Sequence, residues 1–164
     1  MTAFQNEQPD ADEKVSNIPL LATLASRLPP SPALVLSIGS GSGLLEAMLL
    51  KHSEKPLDLF GVEVSSCVNK HLPPDRLVKV PNTTSLHPDA MLASSLMFVY
   101  PRMPTLITAY LDASIGGALE QVVWLGHKSD WPDFESVMRS RSSSVDIIER
   151  SGLCGSELLV VATM

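Results

Sequence analysis

The run Val35-Leu-Ser-Ile-Gly39-Ser-Gly41-Ser-Gly43-Leu-Leu-Glu46 constrains the fold more than any other part of this chain. A strand-like stretch, Ala33 to Ile38, meets three alternating glycines and passes at once into a helix-period segment carrying Leu44, Leu45, Met48 and Leu49. So tight a turn needs residues without a Cβ, and the same residues let a ligand approach backbone N–H groups at an exposed helix start. After a Lys55-Pro56 break, Leu57 to Val64 reads as a second strand, which completes a βαβ unit. Glu63 falls at the carboxyl end of that strand, where a carboxylate can accept hydrogen bonds from both hydroxyls of a ribose. Strand, glycine turn, helix, strand and terminal acid in this order point to a nucleoside-containing ligand. The alternative is a turn kept for packing alone, with Glu63 solvated.

The rest of the chain continues the alternation. Asn17-Ile18-Pro19 is a helix start, and Leu20, Leu21, Leu24 and Leu28 share one helical face before Pro29-Pro30 ends it. Arg76 to Val80 reads as a third strand, Leu86 to Ala93 as an interrupted helix, and Leu96 to Tyr100 as a fourth strand closed by Pro101. Pro104 opens a helix with Leu106, Ile107, Tyr110 and Leu111, stopped at Gly116-Gly117, and Gln121 to Leu125 forms a fifth strand. A helix from about Trp131 to Arg141 follows, its Trp131, Phe134, Val137 and Met138 covering the sheet, with an aromatic substrate platform as the alternative. Two last strands, Val145 to Glu149 and Leu158 to Ala162, are joined by a link too short for a crossover helix, so they pair antiparallel. The expected fold class is α/β, a mostly parallel sheet flanked by helices with an antiparallel C-terminal hairpin.

The 164 residues, 45% hydrophobic and 18% charged, fit one domain over 18–164 behind a polar tail at 1–17 that cannot bury enough surface to order itself. With 12 basic against 18 acidic residues the net charge is −6, which disfavours nucleic acid as the main ligand. No apolar run is long enough to span a bilayer and the acidic start is no secretion signal, so the expectation is a soluble, cytoplasmic protein with no membrane partner. Cys67 and Cys154 match no metal or disulfide spacing and read as reduced core or surface thiols. His52, His71 and His87, and the acids Asp112, Asp130 and Asp133, form no metal-ligand set, so no metal is expected. Ser140-Arg-Ser-Ser-Ser144 is a loop, and the Asn82-Thr83-Thr84 acceptor pattern carries little weight without a secretion signal.

The full G-x-G-x-G at Gly39, Gly41 and Gly43, with Leu44 where a dinucleotide fold usually has its third glycine, resembles the first motif of class I S-adenosylmethionine-dependent methyltransferases. The resemblance runs from about Leu20 to Met164 and includes the preceding helix, the acid after the second strand and the closing hairpin. It implies a Rossmann-like fold with S-adenosylmethionine as cofactor. It also implies that Gly39, Ser40, Gly41 and Gly43 line the methionine and ribose end, that Glu63 holds the ribose, that Asn82 contacts adenine, and that Tyr100 borders the pocket. The family commonly has an acid two positions before the first glycine. This chain has Ser37 there, which should weaken capture of the cofactor's amino group.

Methyl transfer asks little of the protein beyond alignment, because the cofactor carries the hard chemistry. The acceptor belongs at the carboxyl ends of strands one and four, lined by Val99-Tyr100-Pro101-Arg102-Met103-Pro104. Amino-methylating relatives have Asn, Asp or Ser, then Pro-Pro and an aromatic at this place; Val99-Tyr100-Pro101-Arg102 departs at three of the four positions, so a base or glutamine amide is disfavoured. Tyr100 either walls the pocket, hydrogen-bonds an acceptor or merely packs at a strand end. Arg102 pairs with an acidic acceptor or is a surface charge. His127, in the loop after the fifth strand, is a candidate general base toward a hydroxyl acceptor, or a solvated histidine.

The favoured reading is methyl transfer to a small-molecule acceptor at oxygen. The short chain leaves little for a lid, so a homodimer or protein partner is a candidate for completing the pocket. The rival is a catalytically inactive methyltransferase-like binding or regulatory subunit, supported by Ser37, the missing amine grip and the missing lid. A nicotinamide-dependent oxidoreductase is opposed by Leu44 and the closing hairpin.

Overall fold

The computed structural model describes residues 18–64, 66–148 and 155–164. The polar tail, the Asn17 cap, Glu149 and Cys154 lie outside these. Helix α1 (Ile18–Arg27) precedes β1 (Leu34–Ile38), α2 (Leu44–His52), β2 (Asp58–Val64), β3 (Leu77–Val80) and β4 (Ala93–Val99). Helix α3 (Pro104–Ala113), β5 (Gln121–His127), α4 (Trp131–Arg141), β6 (Ser144–Ile148) and β7 (Glu157–Thr163) complete the order.

The seven strands form one sheet in the order β3-β2-β1-β4-β5-β7-β6. The pairs β1/β2, β2/β3, β1/β4 and β4/β5 are parallel, and β7 runs antiparallel to both neighbours. The hairpin therefore forms as expected, with its second strand inserted between β5 and β6. Reversal of the strand order at β1/β4 creates a switch point, where the connections leave to opposite sides and open a crevice at the carboxyl edge.

Alternation along the buried strands divides the core into two layers. On one face Val35, Leu59, Met97, Val123 and Leu159 pack with Leu20, Leu21, Leu24 and Leu28 of the α1 segment and with Leu45 and Leu49 of α2. On the other, Leu36, Val62, Phe98, Trp124 and Val160 pack with Ile107, Tyr110 and Leu111 of α3 and with Trp131, Phe134 and Met138 of α4. The Trp124 ring lies 5.1 Å from Trp131 and 5.5 Å from Phe134, so the aromatic start of α4 covers the sheet as its spacing predicts. No helix among the described residues is long and apolar enough to cross a membrane.

Three expectations need correction. Residues 86–93 form no helix but a single 3₁₀ turn, Ala90–Leu92, running straight into β4. Pro88 lacks a donor, and the His87 N–H goes to the Tyr110 hydroxyl at 3.0 Å instead of to a helical carbonyl. Strand β4 starts three residues early, at Ala93, because fully buried Ser95 is satisfied there: Gln121 Nε2 donates to its hydroxyl at 3.2 Å. Strand β5 runs two residues further than predicted, so His127 is its last residue and not part of a loop. The antiparallel partner carries it on, with Gly126 opposite Leu158 and His127 opposite Glu157.

Candidate functional site

The carboxyl edge of the sheet gathers the glycine turn, Glu63, Tyr100 and His127. The turn leaves β1 with Gly39, Gly41 and Gly43 at φ of 80°, 57° and 79°, all in the left-handed region that disfavours a Cβ. The Gly39 and Ser40 N–H groups both donate to the Val62 carbonyl, at 2.8 and 3.3 Å, which ties the turn to β2. Its outer side is open: a Cβ built on Gly39 or on Gly41 meets nothing within 4 Å. The residues can thus cradle a ligand that needs close backbone approach.

Gly43 has a different role. A Cβ there would lie 2.7 Å from Asn69 Oδ1 and 3.0 Å from Leu72, so the third glycine makes room for the 66–72 segment. Ser40 likewise turns inward; its Oγ would stand 2.6 Å from a Cβ on Gly61 of β2. The segment wraps the turn because the Lys70 and His71 N–H groups both donate to the Ser42 carbonyl and Asn69 closes a ring with Leu72.

Glu63 reaches across the edge to the turn. The Gly41 N–H donates to its Oε2 at 2.8 Å, and the Val64 N–H donates to its Oε1 at the same distance. Each carboxylate oxygen keeps a further lone pair for a second donor. The Cys67 thiol contacts the Gly41 carbonyl, with a 3.7 Å separation between Sγ and oxygen. Burial pushes this thiol up from its ordinary value, and the Glu63 charge pushes it the same way. Asn82 lies two residues beyond β3 at this edge, but its Oδ1 is engaged locally: it accepts from the Thr84 N–H, the Thr84 hydroxyl and the Ser85 hydroxyl. The carbonyl oxygen thus builds an Asx turn.

Beside the turn, β4 ends at Val99 and Tyr100 takes φ 49°, the one non-glycine residue at positive φ among the described residues. Its N–H donates to the Leu125 carbonyl at 2.7 Å, which fixes this conformation. A tyrosine held in the left-handed region stores on the order of 1–3 kcal/mol, and such strain concentrates at functional sites. The Tyr100 ring lies 5.2 Å from the His127 ring, tilted by 48°. Tyr100 and His127, distant in sequence, thus form one half-buried wall at the ends of β4 and β5, with Arg102 exposed on the loop that follows.

Sequence reasoning missed two acids. Glu157 stands opposite His127 in the β5/β7 register and is 4% exposed. Glu46, 1% exposed, accepts a hydrogen bond from the Ser37 hydroxyl at 2.5 Å beneath the turn. The signal for Glu46 was present, since a charge between Leu45 and Leu49 interrupts the buried stripe of α2.

No protein-family model and no curated protein matches the sequence. Solved structures do match. The S-adenosylmethionine-dependent methyltransferase SibL, in its apo form, is 15% identical with a TM-score of 0.66; the match covers 92% of this chain but only 55% of SibL, so the chain spans just over half its length. A methyltransferase of the same cofactor class from Aquifex aeolicus is 13% identical with a TM-score of 0.66, over 94% of this chain and 93% of that one. Streptococcus pneumoniae Sp1610, described as a candidate transfer-RNA methyltransferase and solved with S-adenosyl-L-methionine, is 19% identical with a TM-score of 0.57, over 87% of this chain and 71% of that one. At such identities the likeness is one of fold, and strand order, reversed β7 and flanking helices all agree with it. The chain has the fold of the class I S-adenosylmethionine-dependent methyltransferases.

Proposed function

We propose that this chain binds S-adenosylmethionine in the crevice between β1 and β4 and transfers its methyl group to the hydroxyl of a small-molecule acceptor. The observation that carries the reading is the Gly41 to Glu63 hydrogen bond at 2.8 Å, which joins an open glycine cradle to a ribose-type carboxylate beside the switch point. Gly39 and Gly41 take the amino-acid end and Glu63 the ribose, with Asn82 at the adenine side. The bound cofactor supplies an electrophilic methyl group. Tyr100 and His127 form the acceptor wall at the neighbouring strand ends. His127 accepts the proton that the acceptor oxygen gives up and passes it to solvent, while Tyr100 orients the acceptor. The net charge of −6 favours a small molecule over a polyanion, and Arg102 favours one with an acidic group.

A second reading, cofactor binding without transfer, is favoured by Val99-Tyr100-Pro101-Arg102, which offers no amide or carboxylate to grip an amine. Isothermal calorimetry with S-adenosylmethionine, S-adenosylhomocysteine and NADH tests the cofactor, and acceptor screening then separates the two readings. Micromolar binding of the sulfur nucleosides alone is expected. Glu63→Ala should weaken it by about 1–3 kcal/mol through lost ribose hydrogen bonds. Unchanged affinity in that variant would remove the site assignment.

A further inference from the structure

Glu46 is the third residue of α2, and its buried neighbours Leu45 and Leu49 belong to the apolar layer between the helices and the sheet. Packing alone would be served there by an apolar side chain, because burying a carboxylate is costly. Helical side chains lean toward the N-terminus, which carries this carboxylate back over β1. There it meets Ser37, itself fully buried and two residues before Gly39, at 2.5 Å. The acid thus sits at the base of the glycine turn, between the strand that enters it and the helix that leaves it. The first turn of a helix is favourable ground for a carboxylate, which offsets part of the burial cost.

We propose that Glu46 supplies the negative charge that selects the cationic amino-acid end of S-adenosylmethionine, and that Ser37 orients it. The inference rests on the glycine turn being the cofactor site. Glu63 serves the ribose, so the two acids divide the ligand between them. The charge comes from the helix where an acid on the strand was expected, and Ser37 then marks a relocation of the acid and not a loss of binding. Glu46 is a specificity residue acting from beneath the turn.

Calorimetry with three ligands tests this: S-adenosylhomocysteine, its deaminated analogue without the α-ammonium, and 5′-methylthioadenosine, which lacks the whole amino-acid end. The wild-type chain is expected to bind S-adenosylhomocysteine at least tenfold more tightly than the deaminated analogue. Glu46→Gln keeps the volume and an acceptor for Ser37; it should weaken S-adenosylhomocysteine tenfold or more and leave 5′-methylthioadenosine within twofold. Combining Ser37→Asp with Glu46→Ser returns the acid to the strand and should restore most of the preference. A loss shared equally by all three ligands would make Glu46 purely structural, and unchanged S-adenosylhomocysteine affinity would remove it from the site; either result overturns the proposal. Should the variants fail to fold, the wild-type comparison decides, since equal affinity for S-adenosylhomocysteine and its deaminated analogue refutes it. Failure of the wild-type chain to bind any of the three would instead sink the cofactor reading on which it stands.

Discussion

Alanine at Gly41 and alanine at Gly43 should do different damage, although both glycines belong to one motif and both have positive φ. At Gly41 the added methyl meets nothing within 4 Å, so the only cost to the fold is an L-residue in the left-handed region, about 1–2 kcal/mol. At Gly43 the methyl would stand 2.7 Å from Asn69 Oδ1 and 3.0 Å from the Leu72 Cβ and Cγ. These atoms cannot yield freely, because Asn69 Oδ1 accepts from the Leu72 N–H at 3.1 Å and Asn69 Nδ2 donates to the Leu72 carbonyl at 2.7 Å. Overpacking of this kind adds about 1–3 kcal/mol to the same conformational cost, for a total of about 2–5 kcal/mol. Urea unfolding at constant m-value measures both variants. Gly43→Ala should lose clearly more stability than Gly41→Ala, and Gly41→Ala should stay folded while losing affinity for S-adenosylhomocysteine. Equal destabilisation, or a Gly41→Ala protein that binds normally, would refute the division of the turn into a ligand side and a packing side.

Two further tests concern the segment that replaces a crossover helix. Tyr110→Phe removes the acceptor of the His87 N–H, a buried donor, and should cost about 1–3 kcal/mol in denaturant unfolding; a loss near zero would show that the 81–92 segment does not depend on this bond. Burial pushes His87 below the ordinary histidine value of 6.5, against the opposing pull of the Asp89 carboxylate. The unfolded chain therefore takes up this proton first. Its contribution to stability is full above about pH 6.5 and is lost as pH falls from there through the lowered folded-state value. Protonation would also turn Nδ1 from an acceptor into a donor facing the Asp89 N–H, 2.9 Å away. Thermal unfolding between pH 8 and 5 should show a steeper decline for the wild-type chain than for His87→Gln, and identical slopes would discard the assignment.

The local rules read this chain well where neighbours in sequence decide the outcome. The glycine turn, the helix bounded by Pro29-Pro30, the aromatic face of α4 and the final hairpin each depend on short-range sterics or on a period of apolar residues, and all four stand in the structure. The reading failed where a distant partner overrides propensity. Residues 86–93 hold enough apolar side chains for a helix, but the Tyr110 hydroxyl claims a backbone donor and Pro88 removes another. Strand β5 continues through Gly126 to His127 because β7 pairs with it there.

The candidate site divides along the same line. That the turn and Glu63 lie side by side was legible in the sequence, since a βαβ unit brings the end of its second strand back beside its own first turn. That Gly43 packs under the 66–72 segment and Ser40 against Gly61 of β2, while Gly39 and Gly41 stay open, depends on contacts made only in the folded chain. The Tyr100–His127 wall required the β4/β5 register, which places two residues far apart in sequence at one edge. Glu46 and Ser37 became a pair only when α2 packed on β1 and both lost their water. Periodicity and backbone sterics are local properties and leave their record in the chain; which polar groups meet in the absence of water is settled by packing alone.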